Sequence, residues 1–224
     1  MIERIIVLII GYFIGALIQG GFLIGKFNKI DIRNYGSGNA GTTNVMRTLG
    51  KKAGFLTYFL DTFKAILSCI IVHFLFGKNC DYELLLFLYS GLGVILGHNF
   101  PFYLKFKGGK GIAATSGVAF TISIFPQHCW IILVAAMATF FIVMFTTKYV
   151  SLGSLLGIGM ILVLFITWAF LGLLPLSGSH LYEACIIMFL IVALGYIRHS
   201  GNIKRLMNGT ERKIGQKKKE EQNG

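Results

Sequence analysis

Apolar residues in this chain of 224 residues come in long blocks. There is neither the alternation of a half-buried strand nor the narrow stripe of a surface helix. A helix needs about 20 mostly apolar residues to cross a bilayer. Ile5–Gly25 is charge-free and long enough; Gly54–Gly77 is a second block, interrupted by Asp61 and Lys64. Leu84–Leu104 is a third, with His98 and Pro101 near its end. Gly111–Thr147 carries no charge and is too long for one crossing. Pro126 supplies the break, because proline cannot continue a helix and constrains the residue before it. A short fourth span and a fifth from about His128 follow. Val150–Leu174 is the sixth, closed by the loop Pro175–Ser179, and Leu181–Ile197, which includes Glu183, is the seventh. The predicted fold is an all-α integral membrane protein of about seven transmembrane helices.

Charge orients these spans. With seven crossings, one side receives Lys26, Lys29, Arg33, Arg47, Lys51 and Lys52, then Lys105, Lys107 and Lys110, then Lys148 and every basic residue from Arg198 to Lys219. That is 18 of the 21 lysines and arginines. Arg4 and Lys78 fall on the other side, and Lys64 within a span. Basic loops stay cytoplasmic, so the N-terminus is expected outside and the C-terminus in the cytoplasm. Merging the fourth and fifth segments would send Lys148 and the tail outside, against that rule. The composition agrees: 55% hydrophobic, 13% charged, mean hydropathy +0.72, which excludes a disordered or ordinary soluble chain. A net charge of +12 then marks a cytoplasmic membrane face, and no nucleic-acid partner is expected. Met1–Gly25 has no small-residue cleavage pattern, and reads as a retained first helix. Cys69, Cys80, Cys129 and Cys185 are scattered without metal-type spacing, and no disulfide is expected. Gly11 with Gly15, Gly91 with Gly93, and Gly153 with Gly157 and Gly159 fit close helix packing. Residues 1–213 read as one domain, and 214–224 as a basic tail without order of its own.

Three polar patches share the basic side. The first is Gly36–Arg47, where three glycines within six residues are interleaved with Ser37, Asn39, Thr42, Thr43 and Asn44. Backbone amides, hydroxyls and a guanidinium together form a nest for an oxyanion such as phosphate. The second is Gly97–Gly111, with Gly108, Gly109 and Lys110; the third is His199–Glu211, with Asn202 and Arg205. Gly36-x-Gly38-x-x-Gly41 matches a dinucleotide fingerprint, with Asp61 at about the right distance, but Asp61 lies in an apolar helix and the required βαβ context is missing. Gly108–Gly111 fails as a Walker A loop, since Leu104 occupies the first glycine position and Gly111 the Ser/Thr position. Lys105 and Lys107 suit lipid headgroups. Asp61 and Lys64, three apart, pair on one helix face.

In order and separated by spans, Gly36–Lys51, Asp61–Lys64, Gly97–Ala114, Ser151–Ser154 and His199–Lys213 resemble the bacterial acyl-phosphate:glycerol-3-phosphate acyltransferases, the PlsY family. Ala40 and Thr42 depart from the proline and alanine frequent there; both are small changes. The resemblance implies transfer of a fatty acyl group from acyl phosphate to the 1-hydroxyl of glycerol 3-phosphate, giving lysophosphatidic acid and phosphate. It also implies a bacterial cytoplasmic-membrane location with the site facing the cytoplasm. Ser37, Arg47, Lys110, Ser151, His199 and Asn202 correspond to its active-site positions, and Gly38–Asn44 to its phosphate-binding loop. Among these Ser37, Arg47, Lys110, His199 and Asn202 are the candidate catalytic residues. Gly38, Asn39, Gly41, Thr42, Thr43, Asn44, Gly108, Gly109, Ser151, Arg205 and Glu211 are candidate substrate-binding residues.

Acyl phosphate is a mixed anhydride with a good leaving group, so the demand is to bring two phosphates together, which fixed cations and amides can do. Arg47, Lys110 and Asn202 are expected on glycerol 3-phosphate, and Ser37 with Gly38–Thr43 on the acyl phosphate, its chain lying between helices in the bilayer. The base is either His199 or a substrate phosphate oxygen. No metal or cofactor is called for, and no signal sets the oligomeric state. An organophosphate transporter would share the basic patches, but would need mid-membrane polar sites and symmetric halves. A lipid-binding scaffold would not need the hydroxyls and amides around the charges.

Overall fold

The computed structural model describes residues 1–77, 80–124 and 129–216. Lys78, Pro126, His128 and the tail from Lys217 lie outside the described residues, as do the predictions attached to them. Helices carry the whole described fold, and the first apolar block is already split: α1 (Ile2–Leu17) and α2 (Gly20–Phe27) are separated by Ile18 and Gln19. A short amphipathic helix, α3 (Thr42–Leu49), precedes α4 (Lys51–Phe76). Then come α5 (Glu83–Asn99), α6 (Ile112–Ile124), α7 (Trp130–Thr147), α8 (Val150–Phe170), α9 (Gly178–Arg198) and a second amphipathic piece, α10 (Ser200–Met207). Neither α3 nor α10 was legible as a helix in the hydropathy pattern.

Among the described residues six segments are long and apolar enough to cross a membrane: Ile2–Phe27, Lys51–Phe76, Glu83–Leu104, Trp130–Thr147, Val150–Phe170 and Gly178–Arg198. Helix α6 is apolar but only 13 residues long, short of a full crossing by itself. The chain leaves for α6 beside Gly111 and returns from α7 at Lys148. Both points lie at the end of the bundle where α10 packs, so α6 and α7 run out and back.

Glycine contacts set the tightest crossing. Side chains at Gly11 or Gly15 of α1 would strike the backbone of Ser90 or Val94, and ones at Gly93 or Gly97 of α5 would strike Leu8 or Tyr12. Bare backbones therefore meet along the α1–α5 seam, the packing that small residues permit inside a bilayer. α5 is the central helix, buried almost throughout. One continuous core joins it to α6, α8 and α9 through Leu88, Ile95, Val118, Ile158, Phe165 and Ile191. α7 shows the opposite character, with Trp130, Val134, Ile142 and Phe145 exposed. A large exposed apolar surface of this kind is the lipid face of a membrane protein. The four cysteines are free.

Candidate active site

The Gly36–Arg47 stretch is a loop folded onto the start of α3. Gly36 and Gly38 take left-handed φ values of 62° and 72°, where a side chain is strained. Asn44 holds the loop from inside: its carbonyl oxygen accepts from Ser37 N at 2.8 Å, and its amide donates to Ile32 O at 3.1 Å and Tyr35 O at 2.9 Å. Asn44 is thus buried and committed, a clamp for the loop in place of the direct ligand expected from its position. Ala40 is buried against Gly21 of α2. The amides of Thr42 and Thr43 open α3 and have no partner within it. Thr42 Oγ1 is buried without a hydrogen-bond partner among the described residues. Helix start, free amides and a free hydroxyl favour an anion there. Thr43 and Arg47, one turn apart, share a face of the same helix.

The second patch folds back on the end of α5. Gly108 N donates to Asn99 O at 3.2 Å and Gly109 N to His98 O at 3.1 Å. A side chain at Gly109 would run into the His98 ring. These two glycines, candidate substrate-binding residues by sequence, have both amides occupied and pack closely on the end of α5. Their carbonyls accept from the Arg198 guanidinium at 3.0–3.2 Å, and Arg198 also lies over the Phe100 ring at 5.2 Å. The loop is thereby held from α9, and Lys110 is presented at its end. Arg198 was counted among the basic residues of that face, but its grip on this loop had no sequence signal.

Lys110 Nζ donates to Asn202 Oδ1. Asn202 Nδ2 donates to Glu211 Oε1 at 2.6 Å, Ser151 Oγ to the same oxygen at 2.9 Å, and Arg205 Nε to Glu211 Oε2 at 2.7 Å. α8, α10 and the stretch carrying Glu211 meet at one carboxylate, and the Lys110 loop joins them through Asn202. Glu211, a candidate substrate ligand by sequence, is occupied by three protein donors and acts as the hub of the network. The segment after it crosses the α7–α8 junction, where Ile214 N donates to Lys148 O at 2.9 Å and Lys213 lies over Tyr149 at 5.5 Å.

Positive charge exceeds negative here. Arg47 keeps a solvent-exposed side chain, and its charge is disfavoured by partial desolvation first and then by Arg212 and Arg205. No carboxylate pairs with it among the described residues. Lys110 is pushed down to about 8, by burial first, with Arg205, Arg198 and Arg47 also lowering it against the pull of Glu211. His199 is only 3% exposed. Its Nδ1 donates to Gly195 O at 2.7 Å, since a carbonyl can only accept, and Nε2 is left unprotonated. Burial and Lys110 push it down to about 4, so the ring is neutral at physiological pH. The whole has the electrostatics of an anion site.

Residues 5–209 match the family model described as glycerol-3-phosphate acyltransferase. The chain is 40% identical to a glycerol-3-phosphate acyltransferase of Thermoanaerobacter pseudethanolicus, across 93% of this chain and 94% of that protein. It is 43% identical to one from Macrococcus caseolyticus, across 95% and 98% respectively. The fold superposes with a TM-score of 0.78 and 32% identity on the crystal structure of PlsY (YgiH), an integral membrane glycerol 3-phosphate acyltransferase, in its glycerol 3-phosphate form, covering 95% of this chain and 96% of that one. For the lysophosphatidic acid form the TM-score is 0.76. Bundle, cationic site and relatives agree: this chain is an integral membrane acyltransferase of the glycerol-3-phosphate acyltransferase family.

Proposed function

We propose that the protein transfers a fatty acyl group from acyl phosphate to the 1-hydroxyl of glycerol 3-phosphate, with the site facing the cytoplasm of a bacterial cell. The hydroxyl oxygen attacks the acyl carbonyl, the bond from that carbon to the phosphate oxygen breaks, and lysophosphatidate and phosphate leave. The observation that carries this reading is the excess of cations at this end of the bundle, Arg47 and Lys110 among them, against the single carboxylate of Glu211 among the described residues, together with the unpartnered start of α3. Two phosphates repel each other, and such a site offsets that repulsion before the reaction begins.

Arg47 and Lys110 would hold glycerol 3-phosphate, oriented by Asn202. The start of α3, with Thr42, Thr43, Asn39 and Ser37, would take the phosphate of the donor, and Gly38 and Gly41 let the loop approach it. Asn44, Gly108, Gly109, Ser151, Arg205 and Glu211 build and hold these walls. Against His199 as the base in this reading stand its burial, the commitment of Nδ1 to Gly195 O and a ring pushed down to about 4, which makes it a weak proton acceptor. A phosphate oxygen of the donor takes the hydroxyl proton instead, and His199 orients α10 through its bond to Gly195. An odd number of crossings, counting α6, would put all three patches and the C-terminus on the cytoplasmic side. Purified protein in lipid, given acyl phosphate and glycerol 3-phosphate, is expected to release phosphate and lysophosphatidate in equal amounts. Absence of both products across lipid compositions would overturn the reading.

A further inference from the structure

Inside the bundle lies a second set of charges that the transfer chemistry does not use. Lys64 of α4 is fully buried. Its three ammonium protons point among four acceptors, Ile18 O at 2.7 Å, Asp61 Oδ1 at 2.9 Å, His98 Nδ1 at 2.7 Å and, more distantly, Gly15 O at 3.3 Å. Asp61 Oδ1 also accepts from Gly20 N at 3.2 Å. An ammonium only donates, so His98 Nδ1 accepts and the ring carries its proton on Nε2. His98 Nδ1 lies farther from Asp61 Oδ1, at 3.4 Å, which fits a neutral ring.

Lys64 therefore sits on the last carbonyls of α1, and Asp61 on the first amide of α2. Each charge faces the helix end of opposite partial charge, which fixes the break between the two helices. Apolar residues would fill this space without desolvating two ions, so stability alone does not account for them. The contacts beyond the pair lead to both walls of the transfer site. On one side bare Gly21 of α2 lies against Ala40 of the glycine loop. On the other the His98 ring lies under Gly109, and His98 O accepts both Gly109 N and Gln19 Nε2. Lys110 is the next residue.

We propose that Asp61, Lys64 and His98 are positioning residues for acyl transfer, setting the separation between the glycine loop and Lys110. This rests on the acyl-transfer reading above. A displacement of about 1 Å between such walls can cost up to ~10²-fold in rate even when it originates far from the reacting atoms.

The test pairs His98→Leu with His98→Asn, whose Oδ1 can replace Nδ1 as acceptor for Lys64. His98→Leu is expected to raise KM for glycerol 3-phosphate about tenfold or more with a smaller change in kcat, and His98→Asn to restore it to within about threefold. Spin labels placed at the exposed positions Tyr35 and Lys107 are expected to show a broadened separation in the leucine variant alone. Should His98→Leu not fold, the charge-free double variant Asp61→Asn/Lys64→Met takes its place with the same two readouts. An unchanged KM, activity lost only in proportion to folded protein, an asparagine variant no better than leucine, or failure of both disruptive variants to fold would each overturn the proposal. An inactive parent protein would instead sink the acyl-transfer reading, while the label separations would still report on positioning.

Discussion

At the two ends of the bundle, arginine and glutamate side chains meet under opposite rules. Near the start of α1, Arg4 grips Glu183 with two bonds of 2.7 and 2.9 Å, Tyr89 donates to the same carboxylate at 2.6 Å, and Tyr82 donates to Glu3. There Arg4 has its counter-charge in Glu183, and Glu3 is met by a tyrosine hydroxyl. At the other end Glu211 is the one carboxylate in a field made by Arg47, Lys110, Arg198, Arg205 and Arg212 among the described residues. Arg47 has no bonded partner among the described residues. A balanced cluster ties helices together and wants nothing more. An unbalanced one is held at a cost to the fold, and an anionic ligand removes that cost.

Arg47→Met against Arg4→Met separates the two most sharply. Loss of Arg47 is expected to lower kcat/KM by about 10²–10³-fold, the scale of one fixed charge-stabilising donor. Its unfolding midpoint should stay level or rise, since desolvation and two like charges, Arg212 and Arg205, disfavour the guanidinium. Arg47→Lys should be nearly as inactive, because a point charge does not replace a planar fork. Arg4→Met should do the reverse. Stranding the partly exposed Glu183 is expected to cost about 2 kcal/mol of stability, with kcat/KM per folded molecule within about twofold. Paired melting curves and kinetics read both. A stability loss at Arg47 with normal turnover would erase the distinction.

His199 tests whether a titratable group inside the cationic end does chemistry or architecture. Activity of His199→Ala is expected within about tenfold of the parent, because an essential base would contribute ~10²–10⁴. A loss beyond about 10²-fold in a folded variant would restore the histidine as base.

The same contrast explains what the sequence disclosed. Long helices are written in hydropathy, and α4, α5, α7, α8 and α9 lie close to their predicted spans. The break at Ile18–Gln19 was not readable, because the charges that bracket it come from Asp61 and Lys64, more than forty residues downstream. The site's cations and glycine loop were legible from residue type and side of the membrane. The division of labour within it was not. Gly108 and Gly109 look like phosphate glycines until His98 is seen beneath them, and Asn44 and Glu211 look like ligands until their partners are counted. Hydrogen-bond satisfaction is a tertiary property, and spacing along the chain does not encode it.

The smallest effect concerns how far Glu211 offsets the cation excess. Lys110 loses its charge as pH rises through about 8, and a neutral amine grips phosphate poorly. kcat/KM for glycerol 3-phosphate should therefore fall above pH 8 by a few-fold, and Lys110→Arg should carry that decline out of the accessible range. Glu211 raises Lys110, whereas the surrounding arginines and burial lower it. Glu211→Gln removes the charge that raises Lys110 among the described residues and should move the decline to lower pH, by under about one unit given partial exposure. Initial rates from pH 6 to 10 would show it. A decline that stays at the same pH in Glu211→Gln would mean that the carboxylate binds the network together without tuning its lysine, and the two ends of the molecule would then use glutamate alike.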